Sequence, residues 1–211
     1  MITKVGVLID GGFFWQRFKV LNEKEPSPED VINEVNKIMD KINLKTAGET
    51  KDILFRIYYY DCTPFCREIE NHDKSKKIDY SKTPIYINKT KYLEKLCRMD
   101  RFALRLGELS FSGWKQDIYS KKWKPDFNQK GVDMKFGLDM AWMANKKVID
   151  KVALVAGDSD FIAPIKYVRK EGIQVYLYNM NSHVKDDLIK HCDFLLQYND
   201  QPRKAPKSRV H

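Results

Sequence analysis

The chain has few cysteines and no apolar run long enough to cross a membrane. Only four of its 211 residues are cysteine: Cys62, Cys66, Cys97 and Cys192. The C-x-x-x-C pair at Cys62 and Cys66 is followed by no second close pair of Cys or His, so reduced cysteines are favoured over a structural zinc site. No segment reaches the ~20 apolar residues of a bilayer span, and Asp10 interrupts the first apolar run. We therefore expect a cytoplasmic protein without a membrane partner.

Sequence motifs that bind nucleotide phosphates are also missing. The chain has no G-x-x-x-x-G-K-[ST] loop and no G-x-G-x-x-G fingerprint, which argues against P-loop and dinucleotide-binding proteins. Asp10 does not begin the D-x-D pair of an aspartyl-phosphate phosphatase, because Gly12 occupies the second position. These absences disfavour the common classes of nucleotide hydrolase and phosphatase.

The charge of the chain is unbalanced towards the positive sign. It has 38 Lys and Arg against 29 Asp and Glu, a net charge of +9 and a pI near 9.2. Its hydrophobic content of 43% is enough for a folded core. A basic protein suits a polyanionic partner, but net charge by itself equally allows a soluble protein that is merely basic.

Two short apolar segments end in acidic residues. Residues 4–10 (KVGVLID) and 152–161 (VALVAGDSDF) begin as strands that are buried on both faces. The first ends at Asp10, and the second is followed by Asp158 and Asp160. Ligand sites in an open parallel sheet lie outside the carboxyl ends of its strands, so we predict that these acids belong to such a site. For Asp10, the N-cap of the following helix is an equal alternative.

Residues 130–145 (KGVDMKFGLDMAWMAN) are predicted to form a helix that brings another acid to the same edge. Its inward-facing residues recur at helical spacing: Val132, Phe136, Met140 and Met143. Because helix and strand are joined by a short link, they run antiparallel, and the first turn lies beside Asp158. Asp133 is in that turn, whereas Asp139 lies about 9 Å further along the axis and about 120° around it. Asp133 is therefore the better candidate, and Asp139 faces inward to support the site or the packing.

If the two strands are neighbours, four carboxylates share one pocket. The four are Asp10, Asp133, Asp158 and Asp160. Carboxylates this close repel one another and raise one another's pKa unless a cation compensates them. A hard divalent cation such as Mg²⁺ takes oxygen ligands and can activate a water molecule for attack on a phosphate. The pattern predicts a metal site, although each acid alone has an ordinary structural explanation.

A basic segment that contains aromatic residues precedes this helix. Residues 119–129 (YSKKWKPDFNQ) mix lysines with tryptophan and phenylalanine, as grooves for single-stranded nucleic acid do. The candidate nucleic-acid-binding residues are Lys121, Lys122, Trp123, Lys124 and Lys130. A solvated loop with its aromatic side chains turned inward is the alternative. Base stacking by residues 58–60, three tyrosines, is disfavoured relative to packing within a sheet.

The order of predicted elements indicates an α/β fold with a mostly parallel central sheet. We predict a single domain over residues 1–198 with an irregular insert at about 62–128. Within the insert we expect a helix at 85–99 and a strand or hairpin arm at 102–111. Residues 199–211 are predicted to form a flexible basic tail.

Three segments resemble successive motifs of the NYN domain family, especially its LabA-like branch: VGVLIDGGFF, KGVDMKFGLDM and LVAGDSDFIAPIKYVRKEGIQVYLY. The resemblance runs over about residues 4–196. It implies a PIN-like fold, a Rossmann-like three-layer αβα sandwich, with a ribonuclease site that depends on Mg²⁺ or Mn²⁺. The catalytic and metal-binding residues that it implies are Asp10, Asp133, Asp158 and Asp160, with Asp139 as a secondary candidate. Many members carry Asn where this chain has Phe13.

The leading hypothesis is a metal-dependent endoribonuclease that acts on single-stranded or structured RNA. The alternative is an RNA-binding regulator with this fold and little or no turnover, which Phe13 and the basic aromatic segment motivate. A phosphatase or nucleotide hydrolase that uses the same acids is a third hypothesis, and turnover of a small phosphate ester compared with that of RNA would test it. A homodimer is left open.

Overall fold

A computed structural model of the chain describes residues 1–46 and 49–198. Within them the strands are β1 (Ile2–Asp10), β2 (Lys51–Thr63), β3 (Glu68–Glu70), β4 (Lys77–Asp79), β5 (Phe102–Gln116), β6 (Trp123–Lys130), β7 (Lys151–Val155), β8 (Gln174–Tyr178) and β9 (Phe194–Leu196). The helices are α1 (Gly11–Asn22), α2 (Pro28–Lys45), α3 (Pro84–Cys97), α4 (Val132–Asn145), α5 (Ile162–Lys170) and α6 (Asp186–Lys190). The predicted tail at 199–211 lies outside the described residues.

Seven strands form one sheet in the order β6-β5-β2-β1-β7-β8-β9. All neighbours pair in parallel except β5 and β6, which are antiparallel. Helices cover both faces, because one buried cluster unites the sheet with α1, α2 and α3, and a second unites it with α4, α5 and α6. The predicted three-layer α/β fold with a mostly parallel sheet is confirmed.

The central strands and the covering helices form where their sequences predict them. Every residue of β7 is buried, which explains its unbroken apolar run. Helix α2 begins with Pro28 at its first position and a capping box, in which the Ser27 side chain and the Asp30 side chain each accept from the other's backbone N–H. The buried positions of α2 include Val31, Val35, Ile38 and Ile42, at helical spacing. Local signals and tertiary packing therefore agree here.

The segment at about 62–128 is not an irregular insert, which corrects the sequence-based expectation. Strand β5 joins the central sheet by pairing in parallel with β2, and the predicted helix is present as α3. Residues 119–129, for which a solvated loop was the alternative to a nucleic-acid-binding segment, contain most of β6, which pairs with β5. The pairing supplies backbone hydrogen bonds that a sequence of mixed polarity does not signal locally.

The connections leave β1 in opposite directions, which creates a crevice at the carboxyl edge of the sheet. From β1 the chain passes to β2 and β5 on one side, and it later returns to β7 on the other side of β1. Ligands of open α/β sheets bind at such a switch point. Among the described residues, no helix is long and apolar enough to span a membrane.

Candidate functional site

Asp10 stands at the carboxyl end of β1 and also caps α1. One carboxylate oxygen accepts a hydrogen bond from the Phe13 backbone N–H at 3.0 Å. The capping role that was an alternative for Asp10 is therefore present. Capping leaves the other carboxylate oxygen available, so the two roles do not exclude each other.

Asp158 and Asp160 lie across the crevice, just after β7. The Asp158 side chain accepts from the backbone N–H of Asp160 at 3.0 Å and begins a short 3-10 turn, Ser159–Phe161. Both acids are exposed. Their neighbour Phe161 is buried against Phe136 of α4, with ring centroids 4.2 Å apart. This packing holds the turn beside the first turn of α4.

Asp133 is in that first turn, as the antiparallel geometry predicts. The residue before the helix, Gly131, has a φ of 78°, and no side chain caps the helix there. Burial raises the pKa of Asp133 above its usual range, and the carboxylates of Asp158 and Asp160 raise it further. The structure thus brings Asp133 into the electrostatic field of the two acids after β7.

The pKa of Asp10 is also affected by neighbouring carboxylates. Burial raises the pKa of Asp10, hydrogen bonds from the backbone of Phe13 and Gly12 oppose that rise, and the carboxylates of Asp133 and Asp61 add to it. The carboxylates on the two sides of the crevice therefore repel one another. In the described part of the chain, no lysine or arginine forms an ion pair with Asp133, Asp158 or Asp160.

The carboxylate oxygens of this site are the type of donor that a hard divalent cation prefers. Their arrangement, however, does not by itself form a complete metal site in the described residues. Within residues 1–46 and 49–198, no group of three or more His, Cys, Asp or Glu side chains is arranged so that it could hold a metal ion as it stands. However, Mg²⁺ keeps several waters and is commonly held by only one or two carboxylates together with substrate phosphates. An open set of uncompensated carboxylate oxygens suits Mg²⁺ or Mn²⁺ of that kind.

Asp139 is occupied by other partners. One of its carboxylate oxygens accepts from the Tyr60 hydroxyl at 2.9 Å and from Arg105 Nε at 2.7 Å. These bonds tie α4 to β2 and β5, and Asp139 is absent from the groups that shift the pKa values of Asp10 and Asp133. Its inward orientation agrees with the sequence pattern, and its contacts are those of a positioning residue.

Asp61 was missed by the sequence analysis. It follows the buried tyrosines of β2, is 6% exposed and accepts from Lys89 Nζ at 2.5 Å. Its position at the carboxyl end of a strand repeats the pattern of Asp10, so the signal was available. The predicted insert begins at about residue 62, directly after Asp61, whereas the strand continues to Thr63.

Phe13 lies across the crevice from α1 to the loop after β7. A Cβ added to Gly157 would come within 2.6 Å of the Phe13 ring, so the ring rests directly on the Gly157 backbone. Gly157 immediately precedes Asp158. The aromatic side chain of Phe13 therefore occupies space against the Gly157 backbone that a smaller side chain would leave open.

The predicted nucleic-acid-binding residues lie along one hairpin arm. Strand β5 pairs with β2 only to Glu108, and its remainder pairs with β6 and projects beyond the carboxyl edge. Lys121 and Lys122 are exposed before β6, and Lys130 is exposed at its end. Lys124 is exposed but forms an ion pair with Asp117 at 2.8 Å.

The aromatic side chains of the arm are largely partnered. Trp123 keeps 44% of its surface exposed while stacking on His72, with centroids 5.1 Å apart. Phe127 packs against Phe65 and Tyr80. Residues 58–60 are fully buried in the sheet, as the packing interpretation predicts, and cannot stack on bases.

Replacing Asp10 by Asn should stabilise the metal-free protein at neutral pH. Because the folded-state pKa of Asp10 is raised, its ionised form is less favourable in the folded state than in the unfolded chain. Asn removes that charge, and its amide oxygen can still accept from Phe13. We expect a melting temperature higher by a few degrees in EDTA at pH 7. The gain should shrink as the pH falls through the raised pKa, where wild-type Asp10 becomes protonated.

The matched control is Asp40→Asn, at an exposed position of α2. It should leave the melting temperature unchanged across the same pH range. A melting temperature of the Asp10→Asn protein equal to or below that of wild type at neutral pH would contradict the prediction.

Comparison with known proteins supports the fold and identifies a family. A family model described as NYN domain matches residues 4–198. A crystal structure of a protein of unknown function from Vibrio parahaemolyticus aligns with a TM-score of 0.50 and 14% identity over 94% of each chain. That likeness shows the fold alone. No curated protein matches the chain.

Proposed function

The chain belongs to the NYN domain family, whose members are generally nucleases, and on this premise we propose that it is a metal-dependent endoribonuclease. It would hydrolyse RNA phosphodiester bonds at a centre formed by Asp10, Asp133, Asp158 and Asp160. The observation that carries the proposal concerns Asp10 and Asp133: beyond the effect of burial, the carboxylates of Asp158 and Asp160 raise the pKa of Asp133, and the carboxylate of Asp133 raises that of Asp10. No lysine or arginine is paired to Asp133, Asp158 or Asp160 in the described chain. A structural role does not require carboxylates that repel one another.

The side chains of this centre would bind and orient the reacting groups. Asp10, Asp133, Asp158 and Asp160 would hold Mg²⁺ or Mn²⁺. When bound, such a cation supplies a water of lowered pKa and neutralises charge on the phosphate. The backbone N–H of Phe13 holds Asp10 in place, and the hydrogen bond from Asp160 N–H holds Asp158. Asp139 positions α4 through Tyr60 and Arg105.

A nuclease assay on labelled single-stranded RNA and single-stranded DNA tests this function. We expect RNA cleavage with Mg²⁺ or Mn²⁺ and none with EDTA. A small phosphate ester should be a poor substrate, because the basic arm contacts a chain of phosphates rather than one. Complete absence of RNA cleavage with either metal, in protein that still binds RNA, would refute the proposal.

The hairpin arm formed by β5 and β6, which projects beyond the carboxyl edge of the sheet, would bind along the RNA backbone. We expect the double variant Lys121→Gln, Lys122→Gln to bind RNA more weakly in EDTA. The slope of log K against log salt should fall by about 1.4, since each phosphate of a single strand that a lysine neutralises contributes about 0.7 to that slope. Fluorescence anisotropy over a salt series measures both quantities.

The pair Lys146 and Lys147 provides the matched control for this measurement. Both are exposed just after α4, whose last turn lies at the opposite edge of the sheet. Replacing both with Gln changes the net charge by the same amount. An equal reduction of the slope in the two double variants would show that general charge, and not the arm, determines binding.

An RNA-binding regulator with little or no turnover is the second candidate, and the position of Phe13 favours it. Its ring fills space beside Asp158 and so competes with a phosphate or water there. The two candidates differ in whether metal is bound productively. A nuclease should gain melting temperature with Mn²⁺ and lose that gain in Asp133→Asn, whereas a regulator should bind RNA regardless of metal.

We also propose that the chain belongs to the LabA-like branch of the family and that residues 1–198 form a single domain. We propose further that the protein is cytoplasmic and forms a homodimer. Light scattering on the full chain would test the homodimer directly.

A further inference from the structure

A cavity of about 440 Å³ opens beside the acidic centre, between α1, α3 and the end of β6. Its wall includes Gly12, two residues after Asp10, and Asp61 at the end of β2. Its volume lies in the usual range for small-molecule sites, about 300–1,000 Å³. Because Gly12 is part of its wall and lies against the Asp10 carboxylate, a ligand in the cavity would lie near one of the proposed metal-binding acids.

The walls combine apolar surface with side-chain amides. Trp15 and Ile85 supply apolar area, and Ile85 is 78% exposed. Gln16, Asn88 and Gln129, which carry side-chain amides, also line it, and all three are exposed. A side-chain amide has two hydrogen-bond donors and an acceptor, so it can form hydrogen bonds with the edge of a base.

Gly12 lies where the wall of the cavity approaches Asp10. A Cβ there would lie 3.8 Å from Gln129 Nε2 and 3.5 Å from an Asp10 carboxylate oxygen. The amide nitrogen of Gln129 therefore lies close to the first turn of α1. This places a polar group of the arm at the junction between the cavity and the acidic centre.

The charges around the cavity disfavour a phosphate inside it. Lys89 is its one lining cation in the described chain, and its ammonium is paired with Asp61 and lies 4.9 Å from the centre of the Trp15 ring. Glu25 also lines the wall, and its carboxylate is paired with the ammonium of Lys19 at 3.8 Å. An uncharged, flat ligand with hydrogen-bonding edges suits these walls better than an anion does.

We propose that this cavity is a subsite for one unpaired RNA base next to the scissile phosphate, with Gln16, Asn88 and Gln129 reading its edge. The proposal rests on the proposed function for the placement of the phosphate. It adds selectivity for the base at one position of the substrate, which a site made only of carboxylates and lysines cannot provide.

Binding to the four homopolymeric RNA oligonucleotides in EDTA tests the subsite without any turnover. Wild type should prefer one base. The double variant Gln16→Ala, Asn88→Ala should lose about tenfold in affinity for that homopolymer and little for the others, since good base contacts contribute a factor of this size. Both positions are exposed, so the fold should be retained. Asn145→Ala, exposed at the opposite end of the molecule, is the control.

Cleavage mapping with Mn²⁺ on a mixed-sequence RNA separates the two proposals. If wild type does not cleave but its base preference disappears in the double variant, the subsite stands and the nuclease proposal fails. If wild type cleaves and the double variant keeps both its base preference in binding and its cut positions, the subsite is refuted and the nuclease proposal stands. Equal binding of all four homopolymers by wild type also refutes the subsite.

Discussion

Asp158→Asn protein is expected to lose about 100- to 1,000-fold in metal-dependent RNA cleavage, because several kcal/mol of transition-state stabilisation depend on the cation that the acids would hold. Asp158 follows β7 at the switch point and raises the pKa of Asp133 across the first turn of α4. Asn is nearly isosteric, and its amide oxygen can still accept from the backbone N–H of Asp160, so the turn after β7 should persist. The loss would therefore report on charge and not on folding.

Three measurements separate this loss from a structural effect. The melting temperature of Asp158→Asn in EDTA should be no lower than that of wild type, and RNA binding in EDTA should be retained. The stabilisation by Mn²⁺ should be reduced. Asp40→Asn, at an exposed position of α2, should keep full cleavage activity. Cleavage by Asp158→Asn at the wild-type rate would remove Asp158 from the catalytic centre.

Gly11→Ala is expected to lower the free energy of unfolding by about 3 kcal/mol, at the upper end of the usual cost of overpacking. A Cβ at this position would lie 2.6 Å from the Tyr59 ring, 2.7 Å from the Tyr60 carbonyl oxygen and 2.9 Å from an Asp61 carboxylate oxygen. The tyrosines are fully buried and the carbonyl belongs to β2, so none of these atoms can move aside cheaply. Urea denaturation at pH 7 measures the change.

The adjacent residue provides the control. A Cβ at Gly12 would meet its nearest atom, an Asp10 carboxylate oxygen, at 3.5 Å, which is an ordinary contact. Gly12→Ala should therefore leave the stability unchanged or raise it by up to about 1 kcal/mol, because alanine favours helix over glycine. Equal destabilisation of the two variants would show that the close approach of α1 to β2 does not limit stability.

The elements and the acids could be predicted where local pattern and tertiary packing agree. The buried run of β7, the capped amphipathic helix α2 and the placement of Asp133 in the first turn of α4 all follow from periodicity and short connections. Only part of the 62–128 segment could be predicted in this way. Helix α3 and the first part of β5 follow from local pattern, whereas β6 has mixed polarity and is stabilised by pairing with β5, so no local signal identifies it.

The sequence by itself determined which acids lie at the carboxyl ends of strands. This is because local patterns of hydrophobic residues predict which segments form buried strands and how strands and helices alternate. Only the tertiary structure decided which carboxylates lie close enough to raise one another's pKa. It placed Asp133 near Asp158 and Asp160. It also placed Asp61 near Asp10. Asp139 instead forms hydrogen bonds with Tyr60 and Arg105. The tertiary structure also placed the end of β6 and the cavity of about 440 Å³ beside the first turn of α1. The physical reason is that electrostatic and packing interactions depend on distance in space, which strand order fixes and sequence separation does not.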